Sequence, residues 1–399
     1  MSEQAEQVHV GASELEARVD ALLASYPPDR TDMTTFFGAQ FDAGLAWVHF
    51  PEGRGGTGAP VALQEAVDER LRAAGAPNGR GLNTTAYGQG AATLLAYGSD
   101  DQQERYLRRI FTCEDIWCQL FSEPGSGSDL AGLSTMARRD GDEWVVNGQK
   151  VWTTRGNIAH YGLLLARTDP DAPKHAGLTY FVLDMHQPGV VARPLRQMDG
   201  GATFNEVFIT DARVPDAERL GDVGQGWAVS NTTLMNERYN FGGAPARGSG
   251  AIAGSVSGWR ERQGAWSGAE RVARRDALMR LWVDAEVQRL TTLRAAVARQ
   301  FGKAGAEGSI GKLAGSELGQ RIAAFTVDLL GPDGMLIDGY DPADRTAWST
   351  TRSFVSSPSG TIAGGTSAIQ RNIIGERVLG LPREPDPFRG QPWGEIPRN

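Results

Sequence analysis

Three short segments carry residue types suited to holding a flat or phosphorylated ligand. The first, Phe121-Ser122-Glu123-Pro124-Gly125-Ser126-Gly127-Ser128-Asp129, interleaves Gly and Ser, so that backbone amides can approach a phosphate or a flavin edge without side chains in the way. Read alone, the same stretch is equally a tight surface turn. The second, Asn147-Gly148-Gln149-Lys150-Val151-Trp152-Thr153-Thr154-Arg155-Gly156, sets an aromatic beside hydroxyls. An aromatic wall with a few placed donors is what a planar heterocycle needs; Trp152 also suits a buried core position. The third runs from Gly364-Gly365-Thr366-Ser367-Ala368 through Ile369-Gln370-Arg371-Asn372 to Ile373-Ile374.

Other chemistries lack their residues. The two cysteines, Cys113 and Cys118, have no further Cys or His at zinc spacing and cannot make a disulfide framework. His9, His49, His160, His175 and His186 show neither metal spacing nor a paired nucleophile and read as structural or surface residues. No dinucleotide fingerprint follows a strand, no Gly-x-Ser-x-Gly elbow exists, and Gly311-Lys312-Leu313 lacks the spacing and hydroxyl of a phosphate loop. The 399 residues carry a net charge of −8 without a long basic run, which excludes a broad nucleic-acid footprint. The N-terminus has no export signal and no apolar stretch spans a membrane, so a reducing, cytoplasmic setting is expected.

The elements that must position these segments follow from periodicity. Leu15, Val19, Leu22 and Leu23, then Val61, Leu63, Val67 and Leu71, then Leu94, Leu95, Tyr106 and Leu107 recur at helical spacing, broken by Pro- and Gly-rich turns near 26–28, 51–58 and 75–81. From Ile116 the period becomes two. Strands are expected at 116–121, 144–152, 161–166, 178–183 and 204–209, with Asp140-Gly141-Asp142 and Asn147-Gly148 as hairpin turns. Helical spacing returns near Trp227, with long helices at 269–301 and 310–330 and a short one at 366–379. This order gives an α+β protein of three units, 1–115, 116–226 and 227–399, rather than an alternating βαβ fold.

Taken together and in this order, the three segments resemble the acyl-CoA dehydrogenase family, and Phe50-Pro51-Glu52 with Gly55-Gly56 extends the likeness into the first unit. The resemblance implies a helical N-terminal domain, a β-barrel-like middle domain and a C-terminal four-helix bundle. It further implies FAD as cofactor, held by Gln119, Phe121, Ser122, Gly127, Ser128, Trp152, Thr154, Thr366 and Ala368. Gly331 stands where relatives approach the pyrophosphate with a Gly-Gly pair, here Gly331-Pro332. The flavin-contacting Arg-x-x-Phe-Gly of many members is missing from 264–271, and Arg299-Gln300-Phe301-Gly302 lies one helix too late to replace it.

The reaction implied is removal of an α-proton from an acyl thioester while hydride leaves the β-carbon. Many members take their base from a Glu directly before the Gly-Thr of the third segment, where this chain has Gly364. A subset similar to the isovaleryl-CoA type takes it from the first C-terminal helix, and Glu237 in Met235-Asn236-Glu237-Arg238-Tyr239 matches that place. Gly364 keeps a backbone N–H able to polarise the thioester carbonyl, so it retains the other half of the usual residue's role. Ser128 and Arg238 match substrate-facing positions. A missing side chain at 364 favours a branched or bulky acyl group. The expected partners are an acyl-CoA, an electron-transfer flavoprotein and further copies of the chain in a homodimer or homotetramer, with neither nucleic acid nor membrane. Two rivals stand beside this reading: a non-catalytic or half-site subunit of a heterotetramer, and an oxygen-using relative.

Overall fold

A computed structural model describes residues 10–79, 81–239, 246–300, 307–336 and 349–397, with the side chains of 237–239, 299–300 and 307 left aside. The described residues fall into two compact units, one within Met1–Pro194, Phe204–Asn236 and Phe388–Asn399, the other within Leu195–Thr203 and Glu237–Pro387.

The first unit begins with helices α1 (Ala12–Ser25), α2 (Met33–Asp42), α3 (Gln64–Ala73), α4 (Ala91–Tyr97) and α5 (Asp100–Phe111). Asp32 caps α2 by accepting from Thr35 N, and Ser99 with Gln102 forms a reciprocal capping box on α5. Eight strands follow: β1 (Trp117–Leu120), β2 (Met136–Asp140), β3 (Glu143–Thr154), β4 (Tyr161–Arg167), β5 (Leu178–Asp184), β6 (Val190–Leu195), β7 (Phe204–Pro215) and β8 (Arg219–Leu220). They form a mixed sheet in the order β6-β7-β3-β2-β4-β5-β8, with β1 parallel to β4. Successive residues of β4 and β5 feed two different cores. Leu163, Leu165, Tyr180 and Val182 join the helical cluster built on Phe36, Phe37, Leu107 and Phe111, while Leu164, Ala166, Phe181 and Leu183 pack with Val146, Val207 and Val214. A strand covered on both faces is rich in apolar residues throughout, which is why β4 and β5 are buried along almost their whole length.

The expected strands are all present, and β2, β6 and β8 join them. Asp140-Gly141-Asp142 does connect two antiparallel strands, with Gly141 at φ +64°. Asn147-Gly148 does not turn: it lies inside β3, where the pairing with β7 slips between Val146 and Gly148. Gly148 is needed there for a different reason. A Cβ on it would strike the Thr135 hydroxyl, so the glycine permits a bulge and a close strand approach rather than a reversal.

Helix α6 (Gly226–Tyr239) leaves the sheet, followed by α7 (Ala251–Arg262), α8 (Gly268–Gln300), α9 (Glu307–Leu330), α10 (Thr350–Ser356) and α11 (Ser367–Arg377). In the second unit α9 packs against α7 and α8 around Ile252, Leu278, Leu281, Leu318 and Ile322, and α10 and α11 also lie against α9. The 264–271 segment joins α7 to α8, and its last four residues already belong to α8. Among the described residues no helix is long and apolar enough to cross a membrane.

Candidate active site

In the first unit the loop after β1 and the end of β3 are brought together. Val151 N donates to Ser122 O at 2.9 Å, and Lys150 Nζ donates to Phe121 O at 3.1 Å. Phe121 is buried with its ring edge-on to Tyr180, 5.7 Å between centroids, while Ser122 is half-buried and Gly127 and Ser128 are exposed. Glu123 and Ser126 exchange backbone hydrogen bonds across Pro124-Gly125, so this segment is a tight turn as well as an open loop. A Cβ built on Gly125 or Gly127 would meet no atom within 4 Å. Gln119, on β1, is half-buried.

Trp152 is 60% exposed, so the core reading of this residue fails. It sits where the β3–β7 pairing slips a second time, between Lys150 and Thr153. Its φ is +60°, and Arg155, three residues on, has φ +57°. Left-handed backbone at a bulky residue costs about 1–3 kcal/mol and persists only where neighbours impose it. The indole meets the Phe204 ring edge-on, 6.1 Å between centroids. Thr153 is buried and Thr154 half-buried. An exposed indole on a strained bulge, beside a glycine loop with open space above it, fits the wall that a flavin ring requires.

In the second unit, Gly364 and Gly365 adopt φ of +65° and +90°. Gln370 Nε2, fully buried, donates to Gly364 O at 3.0 Å, and Lys312 Nζ donates to Gly365 O and Gly360 O at 2.8 Å each. Thr366 caps α11 by accepting from Ile369 N at 3.2 Å, so its hydroxyl oxygen is already engaged. Ser367 Oγ and Gln370 Oε1 are buried with no hydrogen-bond partner among the described residues. Gly364 and Ala368 are exposed, and Gly331 follows α9 at φ +58°. The sequence singles out Lys312 only to dismiss it as a phosphate-loop lysine and Gln370 only as part of the third segment; a Lys placed 53 residues before the glycine it holds carries no mark of that role.

Glu237 and Arg238 lie in the last turn of α6, and their side chains fall outside the described residues, as does much of the Arg299–Gly302 segment. What precedes them is anchored. Thr233, one turn earlier, is fully buried and bonds Tyr180 Oη at 3.0 Å and Thr93 Oγ1 at 2.9 Å. Among the described residues no group of His, Cys, Asp and Glu could hold a metal ion.

Sequence models of the acyl-CoA dehydrogenase N-terminal, middle and C-terminal domains match residues 14–114, 118–212 and 224–379. The chain belongs to the acyl-CoA dehydrogenase family. It is 37% identical over 349 residues to the acyl-CoA dehydrogenase IpdE1 of Mycobacterium tuberculosis, covering 86% of each. Among solved structures, the ChsE4-ChsE5 complex from Mycobacterium tuberculosis matches with a TM-score of 0.70 at 28% identity, over 95% of this chain and 100% of that one. The Tcur3481-Tcur3483 steroid acyl-CoA dehydrogenase matches with a TM-score of 0.70 at 26% identity, over 94% and 98%. This acyl-CoA dehydrogenase is therefore an FAD-dependent oxidoreductase, and its helical termini with a mixed-sheet middle are those of the family.

Proposed function

We propose that this enzyme oxidises a branched or bulky acyl-CoA, of the size of a steroid-linked acyl chain, to its trans-2-enoyl thioester. The observation that carries the reading is Gly364. Its exposed, left-handed backbone, held directly by Gln370 and through Gly360 and Gly365 by Lys312, offers an amide but no carboxylate. A base must come from another element, and Glu237 is in the same compact unit at the end of an anchored helix. In this reading Glu237 takes the α-proton, the Gly364 N–H stabilises the enolate-like oxygen, and Ser128 and Arg238 hold the thioester's carrier. FAD, when bound, supplies the acceptor for the β-hydride. Gln119, Phe121, Ser122, Gly127, Ser128, Trp152 and Thr154 would hold it, with Gly331, Thr366 and Ala368 as the further contacts that the family pattern assigns. Support for a bulky substrate comes from the solved relative named as a steroid enzyme.

The reading extends to domains at 1–115, 116–226 and 227–399, a cytoplasmic setting, and an electron-transfer flavoprotein as acceptor. It includes assembly into a homo-oligomer. Helix α8 supports the last point: Val272, Met279, Val283, Val287, Leu290 and Val297 form a stripe, each at least 42% exposed, apart from Leu278 and Leu281, which fill the bundle core. A helix apolar on more than one face expects a second layer. A mixed assembly with a related chain is the second reading, favoured by the two-component names of both solved relatives.

The test is Glu237→Gln. The variant is expected to keep its flavin spectrum and thioester binding and to lose about 10²–10⁴ in the rate of flavin bleaching by a bulky acyl-CoA. Bleaching at the parent rate would remove Glu237 from the reaction.

A further inference from the structure

Lys150 is fully buried, and its ammonium has three protons to place. Three acceptors meet it: Phe121 O at 3.1 Å, Glu123 Oε1 at 2.9 Å and Leu165 O at 2.8 Å. Two of them belong to the 121–128 loop and one to β4. Glu123, 8% exposed, is as fully engaged, since Oε1 also accepts from Thr135 N at 2.9 Å and Oε2 from Ser134 N at 2.6 Å. Burial works against the Glu123 carboxylate, but Lys150 and the hydrogen bonds from 134 and 135 outweigh it and hold it below the ordinary carboxylate range.

Such a pair is a poor device for stability alone, because apolar residues of similar volume commonly do as well. What it supplies is direction. The ammonium joins the two segments of the first unit that the sequence marks for flavin contact: it bonds the residues flanking Ser122 and stands two residues before Trp152. Apolar packing at the same place would set neither the height of Phe121 O nor the register of the bulge.

We propose that Lys150 and Glu123 are positioning residues, which fix the 121–128 loop against Trp152–Thr154 and thereby orient the flavin ring. The inference rests on the assignment of those two segments to FAD. Displacement of a reacting group by about 1 Å can cost a hundredfold in rate, so the effect belongs in kcat rather than in folding.

The experiment compares Lys150→Met, Glu123→Gln and the double variant with wild type. Its readouts are apoprotein melting temperature, the dissociation constant for FAD, the visible circular dichroism of bound flavin, and kcat and KM for one acyl-CoA. Lys150→Met leaves a buried carboxylate unpaired and should lower melting temperature, FAD affinity and kcat alike. The double variant removes both charges, and the single amide oxygen introduced by Glu123→Gln keeps one of the two backbone donations from 134 and 135. Its melting temperature should rise above that of Lys150→Met but stay below wild type, because Phe121 O and Leu165 O lose their donor, whereas its flavin dichroism stays altered, FAD binds about tenfold more weakly and kcat falls about a hundredfold with little change in KM. A double variant with parental dichroism, FAD affinity and kcat would overturn the proposal, and so would parental values in Glu123→Gln if the double variant does not fold. If instead Trp152→Ala leaves FAD affinity and flavin fluorescence untouched in otherwise wild-type enzyme, the assignment of the segments fails, independently of the pair.

Discussion

Substitution of the glycines at 360, 364 and 365 by alanine gives a graded test of the loop that presents the Gly364 amide. At φ +65°, an L-residue at 364 carries about 1–2 kcal/mol of left-handed strain, against which the lower entropy of the unfolded chain returns about 0.4–1 kcal/mol. The net cost is about 1 kcal/mol, or about 2–4 °C for a unit of this size. Gly365, at φ +90°, bears the same strain, and its Cβ would also stand 2.6 Å from Gln370 Nε2, the group that donates to Gly364 O. Gly365→Ala must therefore displace a buried amide as well and should be the most damaging of the three. Gly360 has no left-handed φ, and its Cβ would meet Ser316 Cβ at an ordinary 3.8 Å, so Gly360→Ala should be neutral or slightly stabilising. Differential scanning calorimetry of the three proteins, with turnover of a bulky acyl-CoA measured alongside, gives the order. Gly364→Ala keeps its N–H and should lose little of kcat beyond its effect on folding, whereas Gly365→Ala should lose more. Equal melting temperatures, or Gly360→Ala as the worst, would refute the argument from backbone strain. The same strain applies to Gly364→Glu: a carboxylate restored at this position enters at a cost, so any gain in a Glu237→Gly background measures chemistry recovered against geometry lost.

Trp152→Ala removes a side chain that stabilises the apoprotein little, being 60% exposed, so its melting temperature should hardly move. FAD should be retained about two- to tenfold less tightly and flavin fluorescence should change, since ring stacking is worth about 0.5–1.5 kcal/mol; fluorescence titration after dialysis measures both. Acid titration of the melting temperature addresses Glu123. Its value in the folded protein lies below its ordinary 4.5, so the stabilisation is complete above pH 4.5 and is lost as pH falls through the lower folded value. The curve for the Lys150→Met, Glu123→Gln double variant should be flatter than wild type below pH 4.5, and a superimposable pair of curves would show that Glu123 is not held ionised by Lys150.

The parts of this enzyme that the sequence discloses are those whose reason is local. Leu178–Leu183 declares a buried strand by its β-branched and aromatic residues, Thr179 through Val182, between two leucines, and Asp140-Gly141-Asp142 declares a hairpin because its glycine must go left-handed. Val190–Leu195 is hidden by Pro194, and Met136–Asp140 by three charged residues, since both strands owe their place to partners and not to their own pattern. Asn147-Gly148 misleads for the complementary reason: the freedom that makes a glycine good in a turn makes it equally good in a bulge, and only the Thr135 side chain on the neighbouring segment decides between them. The same division runs through the site. Gly364, Gly125 and Gly127 are visible because the proposed roles ask only for the absence of a side chain, which the residue type itself displays. Lys150 and Glu123 stand 27 residues apart as two ordinary surface types, and become a clamp only when β3 and the loop after β1 bury them together. Trp152 falls between: its type suggests either a wall or a core, and what removes the core is its 60% exposure on a bulge, which no residue type announces. A carboxylate base is the harder case again: Glu237 is proposed from its place before Arg238 in the first C-terminal helix and from what Gly364 lacks, and neither mark is a pattern that a helix by itself would announce.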